Sequence, residues 1–128
     1  MPAKTVKVMI VEDDPFLLRM YAEKFEMENF AVVTVDDGRK GLRAAMKEMP
    51  DIILLDIMLP GKSGFDVLVE LKAEENLKNI PVILLTNLSQ REDVDKGLKI
   101  GATDYLIKAH FMPSEVVEKV KNILSKSN

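Results

Sequence analysis

Cysteine is absent from this sequence. Its absence removes disulfides, thiolate metal sites and cysteine nucleophiles at once, and a reducing compartment such as the cytoplasm is the expected location. Long apolar runs are missing as well: none approaches the roughly 20 residues that a membrane-spanning helix needs. The opening MPAKTVKVMIVEDD places acids directly after a short apolar run, which does not read as a secretory leader. The one histidine, His110, has no second histidine or any cysteine to complete a metal site. Excess positive charge is lacking too. Lys and Arg number 18 against 21 Asp and Glu, a formal net charge of −3, which argues against binding a phosphate backbone as the main task. There is no internal repeat, low-complexity tract or linker.

What is present is enough for one compact domain, residues 1–128. Hydrophobic residues make up 47% and charged residues 30%, a globular rather than a disordered composition. Short aliphatic runs occur at Val6 to Val11, Ala31 to Val35, Ile52 to Leu55, Val82 to Thr86 and Tyr105 to Ile107. They are near-continuous rather than alternating, as in parallel strands buried on both faces. Between them lie segments with helical spacing. Phe16, Leu17, Met20, Tyr21 and Phe25 form one stripe, and Val116, Val117, Val120, Ile123 and Leu124 form another. Leu42, Ala45 and Met46 predict a helix starting near Gly38; Val67, Leu68 and Leu71 predict one after Gly64. Val94, Leu98 and Ile100 predict one after Ser89. Pro15 and Pro113 sit at first-turn positions, Pro81 stands at a strand start, and the final SKSN reads as a frayed tail. Alternating strand and helix implies a parallel α/β sheet covered on both faces.

The stretch DIILLDIMLPGKSG ends an apolar run in an acid and then carries a GKS. A phosphate-cradling G-x-x-x-x-G-K-[ST] loop would need its first glycine at position 56, where Asp56 stands, and a carboxylate there repels phosphate. The other reading makes Asp56 the reactive group. Ligands of parallel sheets bind beyond the carboxyl ends of strands. Those ends are Glu12-Asp13-Asp14, Asp56, Thr86 and Lys108. If the strands are neighbours, carboxylates converge that resist joint ionisation without a cation between them. Oxygen ligands of this kind suit Mg²⁺, which accepts a phosphoryl oxygen, while Lys108 and Thr86 offer positive charge and a hydrogen bond to an anion.

VMIVEDD, DIILLDIMLPGKSG, PVILLT and GATDYLIK, in this order and spacing, resemble the receiver domains of bacterial two-component response regulators over nearly the whole chain. The resemblance implies a doubly wound, five-stranded parallel sheet of order 2-1-3-4-5 with five helices, the flavodoxin-like receiver fold. It implies that Asp56 accepts a phosphoryl group from a phosphohistidine of a sensor histidine kinase or phosphotransfer protein. Glu12, Asp13, Asp56 and the Met58 backbone carbonyl would hold Mg²⁺, with Asp14 outside that set. Lys108 would pair with the phosphoryl group, Thr86 would bond another of its oxygens, and Tyr105 would move inward with Thr86. The surface of the fourth helix, fifth strand and fifth helix would then switch toward a downstream effector. The expected role is a signalling domain, not an enzyme beyond its own phosphotransfer and dephosphorylation, with no direct nucleic-acid or membrane partner.

The sequence departs from the family pattern at three places. Ala109 replaces the usual proline after the lysine, where a cis bond would cost a non-proline residue about 2.5–4 kcal/mol, so a trans bond is expected. Asn87 replaces a small residue after the threonine. Met58 and Leu88 flank the position from which water attacks, and neither orients water by hydrogen bonding, so a long-lived phosphoryl group is expected. These departures leave open a pseudo-receiver, an interaction module that takes no phosphate. An aspartyl phosphatase is disfavoured, because the second acid expected two residues after the nucleophile is Met58. Lys96, Glu115, Asp104 and Lys119 lie where some transcription-factor relatives dimerise, so a monomer or a weak phosphorylation-dependent dimer is expected. With no output domain after the last helix, the chain reads as a stand-alone regulator, a phosphorelay intermediate or part of a longer protein.

Overall fold

The computed structural model describes residues 5–87, 91–108 and 112–126. Strands and helices alternate: β1 Lys7–Val11, α1 Pro15–Met27, β2 Ala31–Val35, α2 Gly41–Glu48, β3 Ile52–Asp56, α3 Gly64–Ala73, β4 Val82–Thr86, α4 Arg91–Ile100, β5 Asp104–Ile107 and α5 Pro113–Lys126. The strands are all parallel and lie in the order β2-β1-β3-β4-β5, the doubly wound arrangement expected from the resemblance. Among the described residues no helix is long and apolar enough to cross a membrane.

Side-chain alternation along each strand divides the core between two faces. Met9, Val11, Ile53, Leu55 and Leu84 point to the face covered by α2 and α3, where Ala45, Val67, Leu68 and Leu71 meet them. Val8, Ile10, Ile52, Leu54, Ile83 and Leu85 point the other way, against Tyr21 and Phe25 of α1 and Val116, Val117 and Val120 of α5. Strands β3 and β4 are buried throughout, which is why their sequences run unbroken in Ile, Leu and Val. The Asp14 carboxylate accepts from the N–H groups of Phe16 and Leu17 at 2.9 and 3.3 Å and starts α1 with Pro15 behind it. Ser63 does the same for α3, its hydroxyl accepting from Asp66 N–H at 3.2 Å.

Several boundaries and stripes differ from the sequence expectation. The first strand begins at Lys7, β3 extends to Asp56, and β5 begins at Asp104. The helix expected near Gly38 is a short 3₁₀ turn, Gly38–Lys40, followed by α2. The expected tail instead continues α5 through Ser125 and Lys126, with the Ser125 hydroxyl donating to the Asn122 carbonyl at 2.9 Å. Phe16, Met46 and Leu98 are exposed rather than core. Phe16 belongs to the first turn of α1 beside its cap, one turn short of Tyr21, the first residue of that stripe to be buried.

Two glycines fix how the loops meet. A Cβ on Gly64 would lie 2.1 Å from the Asp56 carbonyl oxygen and 2.7 Å from the Ile57 Cα, so only glycine lets α3 start against the end of β3. A Cβ on Gly38 would lie 1.9 Å from the Lys62 carbonyl oxygen, so the turn after β2 packs directly on the loop after β3. In that turn the Asp37 carboxylate accepts from Arg39 N–H at 2.7 Å and from its guanidinium at 2.7 and 3.1 Å. The Arg39 guanidinium, with its backbone N–H, holds the Asp37 carboxyl down at about 2.

Two outcomes follow from this packing. G64A should lose about 1–3 kcal/mol through overpacking against backbone, read as a lower urea midpoint at unchanged slope; an unchanged midpoint contradicts the contact. A carboxylate whose folded pKa lies below its unfolded value of about 3.9 contributes stability above about pH 4, and that contribution fades as pH falls toward 2. D37N should therefore flatten this part of the acid-unfolding curve, and an acid limb identical to that of the unaltered protein would contradict the pairing.

Candidate functional site

The strand order brings four chain segments to one rim. After β1, the Glu12 N–H donates to the Val35 carbonyl at 2.9 Å, which prolongs the β1–β2 pairing by one residue and keeps Glu12 buried. Asp13 is thereby turned out to solvent. Asp14 turns away to cap α1, while its N–H donates to Glu12 Oε2 at 3.2 Å. On β3, Asp56 is buried, and the Met58 N–H folds back to donate to its Oδ1 at 3.1 Å. From the end of β5, Lys108 Nζ donates to Asp56 Oδ2 at 2.8 Å and to Glu12 Oε1. Its side chain is only 8% exposed, so the lysine reaches inward despite Ala109 behind it. Thr86 ends β4, is fully buried, and pairs in register with Ile107. Asn87 is exposed beside it.

Glu12, Asp13 and Asp56 each place a carboxylate oxygen within 4.8 Å of the others. Burial pushes the Glu12 carboxyl up, the neighbouring Asp56 adds to that, and Lys108 opposes it. Burial and Glu12 also raise Asp13. Burial alone would pull Lys108 down, but its hydrogen bonds to Asp56 and Glu12 prevail and hold the ammonium above its usual range. Three carboxylates against one ammonium leave an excess of negative charge with oxygen donors only, a donor set that fits a hard divalent cation.

The remaining sequence candidates have separate fates. Lys62 of the GKS is engaged within the chain: its Nζ pairs with Glu70 Oε2 at 2.5 Å, and Ser63 is a helix cap. Tyr105 is 37% exposed and lines a shallow groove with Arg91, Val94, Asp95, Leu98 and Ile107. The charges considered for dimerisation have partners within the chain. Asp104 pairs with Lys119 at 3.0 Å, Glu115 accepts from Met112 N–H at 3.0 Å, and Lys96 lies 4.4 Å from the Phe65 ring centre. Leu88, Ala109 and His110, and so the isomer of the Lys108–Ala109 bond, lie outside the described residues. The Asp37–Arg39 pair went unread in the sequence, although an Asp preceding Gly-Arg is a recognisable turn signal.

The raised Glu12 carboxyl has a testable consequence. A carboxyl whose folded pKa lies above its unfolded value costs stability at neutral pH, and the cost disappears as pH falls through the folded value. In chelator, E12Q should lose the gain in stability that the unaltered protein makes as pH falls from neutrality toward the ordinary carboxylate range. Urea midpoints across that range decide this; an equal gain in E12Q contradicts it.

The family model of the response regulator receiver domain matches residues 8–121. The DNA-binding response regulator MtrA of Mycolicibacterium smegmatis is 37% identical over 115 residues, which cover 90% of this chain and 49% of that protein. The probable transcriptional regulator ycf27 of Guillardia theta is 34% identical over 122 residues, covering 95% of this chain and 46% of that protein. The chain thus spans about half the length of these curated relatives. Among solved structures, the chemotaxis response regulator CheY4 of Vibrio cholerae superposes with a TM-score of 0.88 at 27% identity, covering 94% of this chain and 99% of that one. The BeF3-activated N-terminal receiver domain of Klebsiella pneumoniae RstA does so with a TM-score of 0.85 at 31% identity, covering 92% and 97%. With its fold, its acidic rim and its sequence in agreement, the chain belongs to the response regulator receiver domain family, the phosphorelay signalling modules of two-component systems.

Proposed function

We propose that Asp56 is the phosphoacceptor of this receiver. A carboxylate oxygen of Asp56 attacks the phosphorus of a phosphohistidine on a sensor histidine kinase or phosphotransfer protein. The new P–O bond forms as the P–N bond breaks, and the imidazole leaves with the electron pair. The observation that carries this reading is the position of Asp56: buried at the end of β3, bonded to Lys108 Nζ at 2.8 Å and Met58 N–H at 3.1 Å, and within 4.8 Å of two further carboxylates. Glu12, Asp13, Asp56 and the Met58 carbonyl would hold Mg²⁺, which when bound screens repulsion between the carboxylate and the phosphoryl oxygens.

The chain's own residues do the rest. Lys108 holds Asp56 in place before transfer and then neutralises a phosphoryl oxygen. Thr86 turns its hydroxyl to another oxygen, and Tyr105 follows it out of the α4–β5 groove. The modification adds roughly one negative charge at Asp56, enough to bias a two-state surface on α4, β5 and α5 toward a downstream effector. The setting is the cytoplasm and the partners are proteins. The chain acts through residues 1–128 as one receiver, a monomer or a weak dimer on phosphorylation.

Incubation with Mg²⁺ and acetyl phosphate followed by intact-mass measurement tests the acceptor. One phosphoryl group should be gained by the unaltered protein and none by D56N or by protein in chelator; no gain in the unaltered protein, or equal gain in D56N, overturns the reading. Met58 is 64% exposed beside the site, and its side chain offers no hydrogen bond to orient water. M58N should shorten the phosphoryl lifetime about five- to tenfold, the worth of one added hydrogen bond in the hydrolytic transition state. A lifetime unchanged or longer in M58N would reject that role.

A further inference from the structure

The turn after β2 closes over the loop that follows Asp56, and nothing in the chemistry above accounts for it. Gly61 in that loop has φ +77°, and a Cβ there would lie 2.4 Å from Arg39 Nε, 2.8 Å from its Cδ and 2.9 Å from its Cγ. The Arg39 side chain therefore lies flat on Gly61 while its guanidinium is held by Asp37 at 2.7 Å. The adjoining Gly38 rests on the Lys62 carbonyl. Consecutive residues of the loop are thus pinned by consecutive residues of the turn.

We propose that Arg39, held by Asp37, is a positioning residue that latches the loop of residues 57–63 to the turn after β2 and so sets the spacing of Glu12 and Asp56 for the cation between them. The path is continuous at both ends. Two residues before Asp37, the Val35 carbonyl accepts the Glu12 N–H at 2.9 Å, which ties the turn to one carboxylate. At the start of the loop, the Met58 N–H donates to Asp56 Oδ1, which ties the loop to the other. On its far side the loop is held by Lys62–Glu70 at 2.5 Å and by Gly64 N–H on the Ile57 carbonyl at 2.8 Å. Without Arg39 it keeps that side, the Gly38 contact and the packing of Ile57 and Leu59 on the core, and it loses its clamp at Gly61. The Arg39 side chain is 70% exposed, so its charge is well screened and its shape and forked hydrogen bonds carry the effect. Lysine cannot reproduce that fork. The cation clause rests on the acidic pocket binding Mg²⁺ as proposed above; the loop clause does not.

Two measurements on the full chain separate these clauses. In metal-free buffer, amide exchange at Met58 and Lys62 should quicken about tenfold in R39A, with D37N moving the same way and R39K falling between. Calorimetric Mg²⁺ titration should show binding weakened by about tenfold in R39A, the usual cost of losing a group that orients a metal's ligands. R43A is the control. Arg43 is likewise an exposed cation, one turn along, with no ion pair among the described residues, and its removal should leave both readouts unchanged. Loop exchange unaltered in R39A overturns the latch whatever the pocket binds. Equal weakening in R43A overturns it in favour of bulk charge. If the unaltered protein binds no Mg²⁺, the pocket reading fails and the exchange result alone judges the latch.

Discussion

The buried ammonium of Lys108, bonded to both Asp56 and Glu12, is the interaction on which the rim of this molecule depends. Two carboxylates removed from water beside each other are costly, and burial together with Asp56 raises the Glu12 carboxyl. One cation bridging both offsets part of that cost, and breaking a buried pair from one side is far more damaging than never having built it. The geometry is demanding. Lys108 follows β5, and β4 stands between β5 and β3, so the lysine must cross about 10 Å of sheet to reach Asp56. A long, unbranched side chain passing over the end of β4 achieves this, and the residue at that end is the compact Thr86.

The rest of the fold serves to hold that rim still. Strands β1, β3 and β4 carry core side chains on both faces, so the ends of these strands cannot shift without disturbing both helical layers at once. The loops beyond them are held by backbone contacts that only glycine permits, Gly64 against the end of β3 and Gly38 against the Lys62 carbonyl. A rigid platform with charged, partly exposed tips is a suitable arrangement for a switch: the platform fixes where charge arrives, and the half-exposed Tyr105 and its groove leave room for a response.

Much of this was legible in the sequence, for physical reasons. The runs of Ile52 to Leu55 and Val82 to Thr86 read as strands because burial on both faces removes polar alternation. Glu12, Asp13, Asp56 and Lys108 stood out because each follows such a run. What periodicity missed were features set by neighbours distant in the chain. Phe16 matches the apolar spacing of α1, yet the first turn leaves it exposed. The 3₁₀ turn at Gly38–Lys40 depends on the Lys62 carbonyl lying against it. Ala109 follows the lysine where the family pattern has proline, and the attraction of two carboxylates places Lys108 without it. The order of the strands came from resemblance, because spacing alone allows several windings of a parallel sheet.

The most direct test of the account is a Mg²⁺ titration of the full chain followed by backbone amide NMR. The account predicts saturable shifts that are largest at Glu12, Asp13, Asp56 and Met58 and smaller at Thr86 and Lys108 as the ammonium adjusts. Shifts that never saturate, or that gather on other acidic surfaces while these residues stay unmoved, would contradict it.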